Sequence, residues 1–404
     1  GALAAPCAGT GLTMSELATV LSRPIRNVTD KGIEYLRAER LVEISGVTGF
    51  SSAGYQFVIV DRGSEKAQEA LNGSQYVGKA PVPLATYIAA VQRQTVSNIS
   101  VSQEELARAF AHMVIPRETL GQLGPAINSG KSIFLFGPPG NGKTTIAEVL
   151  VSLLRGEVVL PYAVEIDQQV IKVYDQVYHR AALDPVVADR LRFDHRWVVS
   201  KRPIVMTGGE LTLETLDLIY DETSKFYEAP FQMKANGGIF MVDDFGRQRV
   251  SPKDLLNRWI VPLEKRVDYL TLHTGKKIEI PFDMLIVFST NLDPADLVDE
   301  AFLRRIRYKI GIEAPTVAQY EEIFKRMCAR KNVEYRADAL SQILAHYRRK
   351  NLGLRSCHPR DILEQLHDTA RFLGRPPELT PDLIEMACDS YFVSLDPSGS
   401  PQGA

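Results

Sequence analysis

Ile133-Phe134-Leu135-Phe136-Gly137-Pro138-Pro139-Gly140-Asn141-Gly142-Lys143-Thr144-Thr145 reads as an apolar strand running into a glycine-rich loop, and Ile146 to Leu154 continues it as a helix. Strand, G-x-x-x-x-G-K-[ST] and helix in that order make a phosphate-binding loop, and a bland glycine turn would not need the flanking elements. Glycines let backbone N–H groups curl around a phosphate without Cβ clashes, and the helix N-terminus adds its positive dipole. The motif implies that Gly137, Pro138, Pro139, Gly140, Asn141, Gly142, Lys143, Thr144 and Thr145 cradle a nucleoside triphosphate. Lys143 would reach the β- and γ-phosphates, and Thr144 would ligate Mg²⁺.

Outward from the loop, Ile239-Phe240-Met241-Val242 is a second apolar run, and it ends in Asp243-Asp244. In hydrolases with this loop the first such acid holds magnesium, giving Asp243 as its expected ligand. The second would polarise the attacking water, although a carboxylate there can equally cap the next helix. Asp244 is one methylene shorter than a glutamate, so slow turnover, or an ATP switch without turnover, is compatible with it. Ile204 to Met206 and Met284 to Phe288 are further apolar runs among helical segments. Near-continuous apolar strands alternating with helices predict an α/β core with a parallel sheet covered on both faces.

The whole chain supports two or three domains, at 404 residues with 45% hydrophobic and 24% charged content. A net charge of −2 gives no global pull toward nucleic acid or an anionic membrane. The four cysteines, Cys7, Cys328, Cys357 and Cys388, show no metal-ligand spacing and suggest free thiols in a reducing compartment. No apolar run is long enough to span a membrane. Gly1 to Thr10 is small and apolar but lacks the basic stretch of a signal peptide, so the expected location is cytoplasmic.

Four units are expected. Residues 11–78 combine amphipathic helices (Met14 to Val20, Arg26 to Arg40), strands (Leu41 to Val47, Tyr55 to Val60) and a closing helix, as in a winged helix. Residues 79–113, opened by Lys79-Ala80-Pro81-Val82-Pro83, read as a helical linker. Residues 114–314 form the α/β core, with an insertion at about 157–202 because the stretch between Lys143 and Asp243 is long for this fold. Residues 315–395 read as four helices, and the tail after Asp396 as disordered.

Together these features resemble the AAA+ superfamily of ring ATPases. Phe288-Ser289-Thr290-Asn291 is similar to the sensor 1 strand, which implies that Asn291 places water near the γ-phosphate. Glu300-Ala301-Phe302-Leu303-Arg304-Arg305-Ile306 resembles the arginine-finger segment, giving Arg305, or else Arg304, as the residue reaching the neighbouring subunit's site. Cys357-His358-Pro359-Arg360-Asp361 resembles sensor 2, with Arg360 touching the γ-phosphate from a helical lid.

Asn236-Gly237-Gly238, Asp243-Asp244-Phe245-Gly246-Arg247 and a hairpin over Tyr269 to Ile280 are similar to MoxR-type ATPases and to bacterial activators of the alternative sigma factor. The activators' glycine-alanine-phenylalanine-threonine motif is absent. Tyr220, Phe226 and Tyr227 stand at the comparable place, as core packing or as pore-lining grips. The resemblance implies ATP and Mg²⁺, a homo-oligomer of hexameric type and a protein or nucleoprotein partner to remodel. A DNA-bound regulator is the alternative, since Arg23, Arg26, Lys31, Arg37 and Arg40 lie on or near the second N-terminal helix. Asp30, Glu34 and Glu39 offset much of that charge.

Overall fold

A computed structural model describes residues 12–13, 32–47, 55–183, 194–297 and 303–392. The core strands are β1 (Ser132–Phe136), β2 (Ile204–Thr207), β3 (Ile239–Val242), β4 (Leu285–Thr290) and β5 (Tyr308–Gly311). They form one five-stranded sheet in the order β2-β3-β4-β1-β5, parallel throughout. Every residue of β3 and β4 is buried, as expected of strands that bury both faces. On one face Ile133, Leu135, Met241 and Val287 pack against α1 (Lys143–Leu153) through Ile146 and Leu150. On the other, Phe134, Phe240 and Phe288 pack with Phe245 and with Trp259 of α2 (Pro252–Lys265).

The adjacency of β4 to both β3 and β1 places the C-terminal ends of these three strands together. The phosphate loop, the paired aspartates and Asn291 all follow those ends, where ligands bind in open parallel sheets.

Beyond the core, α3 (Val317–Arg330), α4 (Ala337–Arg349), α5 (His358–Phe372) and α6 (Pro381–Tyr391) enclose a separate apolar cluster that includes Tyr320, Phe324, Ile343, Leu363 and Leu383. Thr316 caps α3 through a reciprocal capping box with Gln319. The parallel α/β core with flanking helices and a C-terminal helical unit is the fold class expected from the sequence.

Two regions show detail beyond the sequence reading. Val82–Pro83, inside the proline stretch read as a linker, is an edge strand paired with Val164 and Glu165. Proline suits an edge because no ladder N–H is demanded of it. This strand joins Ala163–Ile166, Gln169–Lys172, Phe226–Glu228 and Ile219–Asp221 in a second five-stranded sheet. That sheet shares an apolar cluster with Tyr87 and Val91 of the helix Leu84–Arg93 and with the hairpin Val267–Thr271/Lys277–Pro281. Glu157–Pro161 pairs with Trp197–Lys201, so the expected insertion carries an antiparallel strand pair near its two ends.

Near the N-terminus, Val42–Val47, Tyr55–Ile59 and Leu12–Thr13 make an antiparallel sheet beside the helices Glu34–Ala38 and Asp61–Gly73. Arg37 and Arg40 are exposed there. Met14 to Lys31, with Arg23, Arg26 and Asp30, lies outside the described residues, as do Cys7, Glu300 to Phe302 and the tail after Phe392.

Candidate nucleotide site

Gly137, Gly140 and Gly142 all take positive φ, at 136°, 79° and 85°. At Gly137 a Cβ would stand 2.3 Å from the Ile312 carbonyl oxygen, so neither the backbone angle nor the space admits another residue. The loop hands the chain to α1, whose first residue is Lys143.

Lys143 is only 6% exposed, and its Nζ donates to the carbonyls of Gly137 (2.9 Å) and Pro138 (3.0 Å) and to Asn291 Oδ1 (2.6 Å). Burial holds its ammonium below the usual lysine range, with Asp244 and then Asp243 opposing that shift. Thr144 Oγ1 donates to Asp243 Oδ2 at 3.0 Å. Asn291 Nδ2 donates to Asp244 Oδ1 at 2.9 Å. Five side chains that follow three strand ends thus form two hydrogen-bonded sets, Lys143-Asn291-Asp244 and Thr144-Asp243.

The donor set suits a divalent cation. A hydroxyl and a carboxylate oxygen lie side by side at Thr144 and Asp243, both hard oxygen ligands of the kind Mg²⁺ takes through one or two protein groups. No cluster of three or more His, Cys, Asp or Glu side chains exists among the described residues, so an all-protein metal cage is not formed there.

The helical unit is stapled to the loop through Arg355 to Cys357. Cys357 N–H donates to the Gly140 carbonyl at 2.9 Å and Ser356 N–H to Asn141 Oδ1 at 3.1 Å. A Cβ on Gly140 would meet Cys357 Sγ at 2.6 Å and Arg355 Cδ at 3.5 Å. From the other side, Arg326 of α3 donates to the carbonyls of Ala111 and Met113, and Met113 packs against Gly142.

Arg360 stands exposed at the start of α5, paired with Asp361 at 2.8 Å. That carboxylate raises its pKa and also accepts from Tyr391 at 2.7 Å. Arg305 is half-buried and pairs with Glu264 of α2 at 2.6 Å, while Arg304 is exposed.

Of the three aromatic residues left open between core and pore, Tyr227 is 1% exposed and belongs to the core of the second sheet. Its hydroxyl bonds to His273 Nδ1 at the hairpin tip and donates to Gln169 Oε1 at 2.8 Å. Tyr220 stacks on His273 at 4.3 Å, and Phe226 meets Tyr76 edge-on. Two residues that sequence reasoning passed over also stand at the site: Arg355, and Gln248 in the turn after the aspartates. Neither carries a motif signal, because both act through contacts distant in sequence or through backbone shape.

Comparison with known proteins gives one family-level match, over residues 316–390, to a Domain of unknown function (DUF8689). No curated protein matches the chain. Among solved structures the chain is similar to a mutant of RuvB from Thermotoga maritima, with 14% identity and a TM-score of 0.38, over 73% of this chain and 72% of that one. It is also similar to NtrX from Brucella abortus in complex with ADP, with 17% identity and a TM-score of 0.41, over 80% of this chain. This chain spans 64% of that NtrX chain.

Proposed function

We propose that the chain is an ATP-hydrolysing ATPase of the AAA+ type, assembling as a ring of hexameric kind and remodelling a protein or nucleoprotein partner. The observation that carries this reading is the convergence of Lys143, Thr144, Asp243, Asp244 and Asn291 beside a loop of positive-φ glycines. Lys143 has the reach and burial to bind the terminal phosphates in place of the loop carbonyls it now meets. Thr144 and Asp243 would hold Mg²⁺, which neutralises developing phosphate charge when bound. Asp244 and Asn291 together can orient a water, one as acceptor and the other as donor. The helical unit, stapled to Gly140 and Asn141, closes over the nucleotide.

Arg305, or Arg304 beside it, would complete a neighbouring subunit's site, so turnover should rise with assembly. The test is binding of a fluorescent ATP analogue together with phosphate release. Wild type binds and turns over, Lys143→Ala loses binding, and Asp243→Asn loses the magnesium dependence of binding. A wild-type protein with no affinity for the analogue would overturn the reading.

A second reading, an ATP-binding switch without turnover, is favoured by the short arm of Asp244. An inactive wild type that gains phosphate release on Asp244→Glu would select it.

A further inference from the structure

We propose that Gln248 is the positioning residue for Asp244, setting the backbone that aims this carboxylate; the inference rests on the ATPase reading above. Asp244 has φ 49°, in the left-handed region. A non-glycine residue is strained there, aspartate less than most, so the turn needs an external hold. The next strand supplies part of it. Phe245 N–H donates to the Ser289 carbonyl at 2.7 Å, and Thr290 Oγ1 donates to the Phe245 carbonyl at 2.7 Å. The first holds the Asp244–Phe245 peptide from its N–H side alone, and the second acts on the residue beyond.

Gln248 acts on Asp244 itself. Its Nε2 donates to the Asp243 carbonyl at 2.8 Å and to the Asp244 carbonyl at 3.0 Å, and its Oε1 accepts from Gly246 N–H at 2.8 Å. The amide orientation follows from its surroundings, since the nitrogen faces two carbonyls and the oxygen faces an N–H. The Asp243 carbonyl belongs to the peptide that defines φ of Asp244, and the Asp244 carbonyl to the peptide that defines its ψ. One side chain therefore clamps both peptide planes flanking the Asp244 Cα. Any rotation there would swing the carboxylate away from Asn291 Nδ2, which it meets at 2.9 Å. Gln248 is half-buried and touches the site only through backbone, so its effect passes through Asp244.

Two substitutions in the full chain separate this role from general stability. Gln248→Met keeps length and removes all polar contact; Gln248→Glu keeps the acceptor for Gly246 N–H and loses donation to both carbonyls. Each is measured for melting temperature, affinity for a fluorescent ATP analogue with Mg²⁺, and kcat and KM of phosphate release. Both variants are expected to bind within about two-fold of wild type, with KM unchanged and kcat lowered by about ten-fold or more. In an Asp244→Asn background the added Gln248→Met change should alter the residual kcat by less than about two-fold, because the carboxylate it aims is gone. Full kcat in both variants overturns the proposal. So does an equal loss in the Asp244→Asn background, or a loss of affinity that matches the loss of turnover. A wild type that binds nucleotide without turnover would instead remove the ATPase reading itself, and this inference with it.

Discussion

Lys143 sits where two demands meet. A buried ammonium must be paired, and it takes the Gly137 and Pro138 carbonyls and Asn291 Oδ1 as partners. The loop is thereby held in a cradle shape by the group that the proposed function assigns to the terminal phosphates. Gly140 carries the complementary constraint, because its φ of 79° and the 2.6 Å approach of Cys357 Sγ leave no room for a methyl group. Gly140→Ala should therefore destabilise the protein by roughly 1–3 kcal/mol and weaken nucleotide binding, read by denaturant unfolding and analogue titration. Unchanged stability would mean that the loop and the helical unit are not stapled as described. The phosphate loop and the paired aspartates were legible because their signal is contiguous, each following its strand directly. Gln248, Arg355 and the Cys357–Gly140 contact were not, since their meaning comes from a left-handed turn and from the docking of a distant helix start.

Among the elements, four of the five core strands and the four C-terminal helices were the most legible, the strands as contiguous apolar runs and three of the helices by a cap or proline at their start. Tyr308–Gly311, only one of whose residues is fully buried, was not read as a strand. Nor was Val82–Pro83, because two residues carry no period and their partner lies far along the chain at Val164. In the helical unit, Thr316→Ala removes a capping box and should cost about 1 kcal/mol, seen as a lower unfolding midpoint. The same unit should be acid-sensitive. His358 is 6% exposed, accepts or donates a 2.5 Å hydrogen bond with Tyr347, and is pushed down to about 4 chiefly by burial, then by Arg355. The unfolded chain binds this proton near pH 6.5 and the folded chain only near 4, so the stability His358 contributes is whole above pH 6.5 and is lost as pH falls toward 4. His346, also lowered by burial, adds in the same direction. Thermal unfolding between those pH values should show the decline, and His358→Gln should flatten it; an equal slope in both proteins would assign the sensitivity elsewhere.

At the scale of the whole molecule, one chain presents the candidate nucleotide site and also the arginines that the ATPase reading assigns to a neighbour. Arg305 pairs with Glu264 within its own chain, with the two side chains 28% and 49% exposed. A pair this open is worth at most about 1 kcal/mol, less than a charge-assisted contact to a phosphate across an interface would offer. Head-to-tail subunits that close a ring would give each site one intact loop and one borrowed arginine. Lys143→Ala should then be inactive for want of nucleotide, and Arg305→Ala for want of the neighbour's charge, although the latter still binds the ATP analogue. Mixed in equal amounts, the two inactive proteins should regain phosphate release. Under random assembly about a quarter of the interfaces join an intact loop to an intact arginine. The same mixture made with Arg304→Ala identifies which of the adjacent arginines acts. Recovered activity with one and full activity of the other alone assigns the role. Failure of every mixture, with assembly verified by light scattering, would show that neither arginine works across subunits.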